Sequence, residues 1–164
     1  MLEKYFGPND QKIENKLWIY FFAIVSINLI FKSCHIGYSS YWYDEIISLK
    51  SAYEDFGHIK HVSEWDNNPP FYYYCLSVWV KLFNDSEFCT RLLSAIFSSF
   101  VGGVLFIFVN KHFNKGTAII SSFLFLSSNF LFYYAHESRG YSLILLMVLV
   151  STYIFFETKD KQTL

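Results

Sequence analysis

The sequence predicts an all-α fold: a multi-pass bundle of transmembrane helices with amphipathic surface helices in its first outer loop. Of the 164 residues, 53% are hydrophobic and 22% are aromatic, and the mean hydropathy is +0.25. The apolar residues fall in long uninterrupted runs between charged boundaries, which indicates a chain that crosses a bilayer. A net charge of −1 gives no indication of a nucleic-acid partner.

Four segments are predicted to span the membrane, since a span needs roughly 17–25 apolar residues. Two reach this length, and the other two are slightly short but have aromatic and lysine side chains as interface anchors. Gly102 and Gly103 are expected to let a neighbouring helix approach closely. The predicted order, as one membrane module over 1–164, is a cytoplasmic tail 1–16, a first span 17–32, an outer loop 33–91, a second span 92–110, a third span 117–135, a second outer loop 136–140, a fourth span 141–156 and a cytoplasmic tail 157–164.

The first outer loop is predicted to carry two helices that lie on the membrane surface. Apolar residues recur at helical spacing near 45–57, which favours a short amphipathic helix there. The run 70–83 is too short to cross and contains Lys81, and the Pro69-Pro70 pair is suited to its first turn.

Lysine placement predicts the orientation of the spans. Seven lysines fall on one side if the run 70–83 does not cross, and the positive-inside rule assigns that side to the cytoplasm. Both termini are then cytoplasmic, and the loops 33–91 and 136–140 share the outer face. The seven are Lys4, Lys12, Lys16, Lys111, Lys115, Lys159 and Lys161.

The adjacent acids Asp44 and Glu45 follow an aromatic cluster in the first outer loop. One interpretation is structural: Asp44 is the N-cap of a helix and Glu45 is a first-turn acid favoured by the helix dipole. The other interpretation is an active site at the membrane surface. These two residues alone favour the structural one.

The second outer loop carries a compact ionisable group, which consists of His136, Glu137 and Arg139. Such groups at a span boundary need water, a partner or a ligand. An interfacial ion pair between Glu137 and Arg139 is one explanation. Acids from two loops on one face, with Arg91 and Arg139, are also suited to an anionic lipid headgroup, because guanidinium groups bind phosphate bidentately and carboxylates serve as bases or metal ligands.

A weaker candidate site lies in the first outer loop. His58, His61 and Glu64 follow an i, i+3, i+6 spacing and could share a helix face as metal ligands. A solvated or headgroup-facing polar stripe is the favoured interpretation of the same spacing.

Three motifs together resemble one enzyme family. The stretches "YWYDEIISLKSA", "NNPPFYYYCLSVWVKLFNDSEFCTRLLSAIF" and "FYYAHESRGYSLILL" are similar to the amino-terminal part of GT-C-fold glycosyltransferases, in the branch of protein O-mannosyltransferases and lipid A aminoarabinose transferases. The resemblance implies a GT-C-like amino-terminal module in the inner membrane of a bacterial cell envelope. It also implies transfer of a sugar, with inversion, from a polyprenyl-phosphate carrier to an acceptor on the outer membrane face.

The resemblance also implies roles for particular residues. Asp44 matches the catalytic base that deprotonates the acceptor hydroxyl, and Glu45 would orient the acceptor or the base. Glu137 matches an acid that contributes, with Asp44, to a divalent metal site in metal-using relatives. Arg91 and Arg139 match positions that face the carrier phosphate.

Length separates this chain from that family, whose members usually have many more spans. The chain is therefore expected to be a truncated enzyme, one half of a split enzyme that needs a second chain for the missing spans, or a non-catalytic membrane protein that retains the fold and binds a lipid phosphate. A small transporter or channel subunit is disfavoured, because spans two to four carry no charge between their boundaries.

Overall fold

Helices are the only regular secondary structure in the described part of the chain. The computed structural model describes residues 8–65 and 68–162, so the ends of both predicted tails, 1–7 and 163–164, lie outside the described residues. No strand occurs in the described ranges, which confirms the all-α prediction. The helices are α1 Pro8–Ser33, α2 Tyr43–Ala52, α3 Phe56–Trp65, α4 Pro70–Leu82, α5 Glu87–His112, α6 Lys115–Ser127, α7 Asn129–Ala135 and α8 Tyr141–Gln162.

Three of these helices are long and apolar enough to cross a membrane, namely α1, α5 and α8. A fourth span results if α6 and α7 are counted together. In a bilayer the backbone polar groups must be paired within the segment, and an apolar helix meets this requirement. The predicted helical membrane bundle is therefore confirmed.

The stretch predicted as one continuous span, 117–135, is bent by 62° between α6 and α7. Ser128 leaves the helical conformation at ψ 112°, and its hydroxyl accepts a hydrogen bond from the Leu131 N–H at 3.4 Å. Serine favours such cap positions because its side chain replaces a lost backbone partner. The bend therefore coincides with a local helix start that hydropathy does not reveal.

Helix α5 is the central element, and α1, α6 and α8 all pack on it. A Cβ atom at Gly103 would lie 2.6 Å from the Phe21 ring, and one at Gly102 would lie 3.0 Å from the Asn28 amide nitrogen. A larger residue at either position would force side chains of α1 to shift. The predicted close approach is confirmed.

The segments α2, α3 and α4 form a layer over one end of the bundle. The stretch predicted as a single helix near 45–57 is divided, because α2 ends at Ala52 and α3 begins at Phe56. A buried apolar cluster joins the layer to α5 and α8. Its most buried members are Ala52, Ile59, Tyr72, Tyr73, Leu76 and Leu93.

Candidate active site

A buried ion pair joins α2 to α5. The Glu45 carboxylate accepts hydrogen bonds from the Arg91 Nε at 2.8 Å (Oε1) and the Arg91 Nη2 at 2.7 Å (Oε2). Each residue is only 1% exposed. Such a bidentate pair is directional as well as strong, and it fixes the first turn of α2 against the start of α5.

The same carboxylate also accepts two backbone hydrogen bonds. The Ser138 N–H donates to Oε1 at 2.8 Å, and the Trp42 N–H donates to Oε2 at 3.1 Å. Ser138 belongs to the loop 136–140, so the predicted meeting of the two loops is confirmed. Burial by itself would raise the pKa of Glu45, but the hydrogen bonds from Arg91, Ser138 and Trp42 outweigh it and hold the pKa below its usual value. Glu45 is therefore an ionised connector with no lone pair left for an acceptor molecule.

The guanidinium of Arg91 is satisfied inside the protein. Besides its bonds to Glu45, Nη1 donates to the Ile36 carbonyl at 3.1 Å and the Ser39 carbonyl at 2.7 Å, and Nη2 donates to the Ser40 carbonyl at 3.1 Å. All five N–H groups of an arginine are then in use. The structure therefore differs from the prediction that Arg91 faces the carrier phosphate: this side chain holds the start of the first loop instead.

The loop 136–140 is tied to α4 and α5 by buried hydroxyl groups. The Ser94 Oγ donates to the Arg139 carbonyl at 3.2 Å. The Tyr72 hydroxyl lies 2.9 Å from the Ser94 Oγ and 3.3 Å from the Ser138 Oγ. The loop thus has a rigid support.

His136 attaches the same loop to the end of α1. Its Nε2 lies 2.6 Å from the Lys32 carbonyl oxygen, which only accepts, so Nε2 carries the hydrogen. The imidazole also packs on Phe132 at 4.2 Å between ring centroids. The Lys32 side chain is buried and donates to the Ser98 Oγ at 2.7 Å. Lys32 therefore joins the loop to the interior of the bundle.

Asp44 has a different environment from Glu45, although the two are adjacent. The structural interpretation of Asp44 as an N-cap is wrong: Trp42 is the N-cap and Asp44 lies inside the first turn. Its side chain is 62% exposed. The Arg139 Nη2 lies 3.9 Å from the Asp44 Oδ2, and the Arg139 Nη1 donates to the Asp44 carbonyl at 3.2 Å. Asp44 is thus held by its backbone while its carboxylate remains accessible.

One pocket of about 220 Å³ collects residues from both loops. Asp44, Glu137 and Arg139 line it. Glu45 contributes to the wall, and Arg91 is not among the lining residues. The pocket also has an aromatic rim of Trp42, Tyr43 and Tyr133.

Glu137 is half-buried in this pocket. Burial raises its pKa, and the negative charges of Glu45 and Asp44 add to the increase. A hydrogen bond from Tyr133 and the charge of Arg139 act in the opposite direction but are outweighed. Carboxylates that raise one another's pKa favour the approach of a cation, whether a proton or a metal ion.

The pocket provides two carboxylates for a divalent metal ion, Asp44 and Glu137. Among the residues that the structure describes, no group of three His, Cys, Asp or Glu side chains could hold an ion. Mg²⁺ is commonly bound through one or two carboxylates plus substrate phosphate oxygens and water. By their chemistry, these two carboxylates would suit an ion of that kind.

The weaker metal candidate on α3 remains at the surface. The His61 Nδ1 lies 3.8 Å from the Glu64 Oε2, with side chains 77% and 60% exposed. His58 is also exposed. These three residues therefore form a solvated polar stripe, as the favoured interpretation predicted.

Sequence reasoning missed three groups that support the site. Tyr133 lies one helical turn before Glu137, and this i, i+4 spacing was the available signal. Ser94 follows Arg91 at i+3 and is a polar residue within a span, which is a general indication that a side chain faces the protein interior. The buried hydroxyl of Tyr72 had no such signal, because aromatic residues are common at membrane interfaces.

Comparison with known families agrees with this arrangement. The sequence model of the dolichyl-phosphate-mannose-protein mannosyltransferase family matches residues 67–164. The chain belongs to this family. No curated protein and no solved structure matches the chain. This mannosyltransferase family indicates a membrane glycosyltransferase of the GT-C fold, and its match includes Arg91, Glu137 and Arg139. Asp44 and Glu45 precede the matched residues.

Proposed function

We propose that this mannosyltransferase-family protein transfers a sugar from a polyprenyl-phosphate carrier to an acceptor hydroxyl, with inversion at the anomeric carbon. The observation that carries the proposal is the shared pocket of Asp44, Glu137 and Arg139. It offers an accessible carboxylate, a second acid and a guanidinium group within one small volume. Proton removal and phosphate departure need these group types.

Asp44 is proposed as the catalytic base. Its carboxylate takes the proton of the acceptor hydroxyl, and the hydroxyl oxygen forms the new bond to the anomeric carbon. The bond from that carbon to the phosphate oxygen breaks, and the carrier phosphate leaves with the electron pair. The hydrogen bonds of Glu45 fix the first turn of α2. The backbone of Asp44 is therefore rigid, as a catalytic group that must be held in one position requires.

Arg139 is proposed to contact the carrier phosphate, because it lines the pocket beside Asp44. Positive charge at the leaving phosphate stabilises the charge that develops in the transition state. Arg91 is proposed to position the site, because it donates hydrogen bonds to Glu45 and to carbonyl groups of the loop residues 36–40.

Asp44 and Glu137 would hold a divalent metal ion, if the enzyme uses one. Such an ion would supply further neutralisation of the phosphate charge. Burial is the main cause of the raised pKa of Glu137, and the charges of Glu45 and Asp44 add to it, so a cation bound here would favour the ionised carboxylate.

The reacting end of the bundle is proposed to lie at the outer face of a bacterial inner membrane, with both termini in the cytoplasm. The support is charge placement: Lys111 lies in the last turn of α5 and Lys115 begins α6, at the end opposite the pocket. A second chain that supplies further spans stays a prediction, which copurification from native membranes would test.

The test uses the protein reconstituted in lipid nanodiscs with tritium-labelled polyprenyl-phosphate mannose and a mixture of hydroxyl acceptors. Donor binding and sugar transfer are measured separately, for wild type, Asp44→Asn and the control Asp55→Asn, an exposed acid outside the pocket. We expect Asp44→Asn to bind donor but to transfer poorly, while Asp55→Asn resembles wild type. Equal transfer by Asp44→Asn would refute the base assignment. Donor binding without transfer by wild type would favour the non-catalytic alternative.

A further inference from the structure

A second polar pocket lies at the end of the bundle opposite the candidate active site. Its volume is about 270 Å³. It is formed where the start of α1 meets the end of α5 and the start of α6. The residues that line it are Lys16, Leu17, Tyr20, Phe106, Asn110 and Lys115.

The polar groups of this pocket are suited to an anion. The Lys115 Nζ donates to the Tyr20 hydroxyl at 2.6 Å and lies 4.1 Å from the centre of the Tyr20 ring. Lys16 and Lys115 are both exposed. Among the side chains that the structure describes, neither lysine has a carboxylate within ion-pair distance, in contrast to Lys111, which pairs with Glu157. Two ammonium groups, a hydroxyl and an amide thus surround one cavity.

An apolar groove of about 320 Å³ continues from this pocket towards the middle of the bundle. The two cavities share Tyr20 and Phe106, whose rings lie 5.8 Å apart. On α1, the lining positions 16, 20, 23, 24 and 27 follow one helix face, so the groove runs along the helix axis. Its other wall comes from α6 and includes Ile119, Phe123 and Leu126.

We propose that these joined cavities, the basic pocket and the apolar groove, bind one anionic phospholipid. Its phosphate lies between Lys16 and Lys115, and one acyl chain lies in the groove. Basic pockets between transmembrane helices recognise anionic headgroups in this way. An apolar groove at membrane depth adds the burial of a hydrocarbon chain, which a free phosphate cannot provide.

The proposed phospholipid and the sugar carrier bind at opposite ends of the bundle. Lys16 precedes the end of α1 at Ser33 by 17 residues, which corresponds to about 25 Å of helix. A carrier with its phosphate beside Asp44 therefore cannot place the same phosphate at Lys16. The basic pocket is a separate site for a lipid of the opposite leaflet.

Native mass spectrometry of the purified full-length chain in detergent tests the proposal. The probes are dioleoylphosphatidylglycerol and dioleoylphosphatidylcholine, which share their chains, together with glycerol phosphate and a polyprenyl phosphate. The variants are Lys16→Gln/Lys115→Gln for the headgroup and Ala23→Phe for the groove. Lys50→Gln/Lys81→Gln is the matched control, because both lysines are exposed and lie in the layer at the other end.

We expect wild type to prefer phosphatidylglycerol. The Lys16/Lys115 double variant should lose affinity roughly 25-fold, because each lysine contributes about fivefold. Ala23→Phe should weaken both phospholipids, and the control pair should bind as wild type. Equal binding of the two phospholipids by wild type would overturn the proposal. Competition by glycerol phosphate alone, or preference for polyprenyl phosphate at the same lysines, would overturn the assignment to a phospholipid. Helical content by circular dichroism verifies that each variant is folded.

Discussion

The Glu45 carboxylate and the Arg91 guanidinium, 46 positions apart in the chain, form a buried bidentate ion pair with N–O distances of 2.7 and 2.8 Å. Because Glu45 also accepts the Ser138 N–H, this pair fixes three segments relative to one another. The adjacent Asp44 is left with an accessible carboxylate. Of these two adjacent acids, Glu45 is thus structural and Asp44 is available for chemistry.

Replacing Glu45 by glutamine should destabilise the protein strongly. The change leaves the Arg91 charge buried without its counter-ion, which typically costs about 3–5 kcal/mol. The free energy of unfolding in mixed detergent micelles measures the effect. Glu54→Gln, a change of the same type outside the pair, should stay within about 0.5 kcal/mol of wild type. A Glu45→Gln protein as stable as wild type would show that the ion pair does not hold the site together.

The stability of the protein should fall in acid because of Glu45. A carboxyl group whose folded-state pKa is lowered stabilises the fold above its unfolded pKa, near 4.5, and this contribution is lost as the pH falls through the lower folded-state pKa. The difference in unfolding free energy between wild type and Glu45→Gln should therefore be largest near neutral pH and shrink below pH 4.5. A difference that is constant across this range would contradict the lowered pKa.

Replacing Tyr72 by phenylalanine should loosen the loop 136–140. The variant removes a buried hydroxyl that contacts Ser94 and Ser138, at a cost of about 1–3 kcal/mol. Hydrogen exchange at the loop amides should increase together with the loss of stability. Tyr74→Phe is the matched control, because the Tyr74 hydroxyl makes an exposed bond to the Phe56 carbonyl. Equal effects of the two variants would show that the loop does not depend on Tyr72.

Replacing Arg139 by lysine should weaken donor binding more than it slows the reaction. Lysine retains the charge but cannot form the two parallel hydrogen bonds that a guanidinium makes with phosphate. We expect the KM for the polyprenyl-phosphate sugar to rise roughly tenfold to a hundredfold, with a smaller change in kcat. An unchanged KM would remove Arg139 from the donor site.

The pH dependence of sugar transfer should show the ionisation of the Glu137 carboxyl group. If its ionised form is required, activity should rise with pH through an apparent pKa above the ordinary glutamate value of 4.5, because burial and the neighbouring acids raise the pKa of Glu137. Glu137→Gln should lower the activity and abolish this acidic limb. The comparison is made between initial rates of wild type and variant across the acidic range. An unchanged limb in Glu137→Gln would assign it to another group.

Much of the architecture could be read from hydropathy and spacing. The long apolar runs predicted helices that cross the membrane, and Gly102 and Gly103 predicted the close contact of α1 with α5. The motifs around Asp44 and Glu137 predicted that two distant loops meet, and the Ser138–Glu45 hydrogen bond confirms it. Periodicity did not reveal the bend at Ser128, because a serine hydroxyl that caps a new helix does not change the mean hydropathy.

The sequence by itself determined the helical membrane class and the end of the bundle at which the candidate site lies. A bilayer imposes length and apolarity on each span, and both are local properties of a sequence. Only the tertiary structure decided which acid is accessible and which of the two buried arginines lines the pocket, because these outcomes depend on hydrogen-bond partners far away in the chain. Asp44 and Glu45 are neighbours in sequence, but burial and the Arg91 guanidinium give them opposite roles.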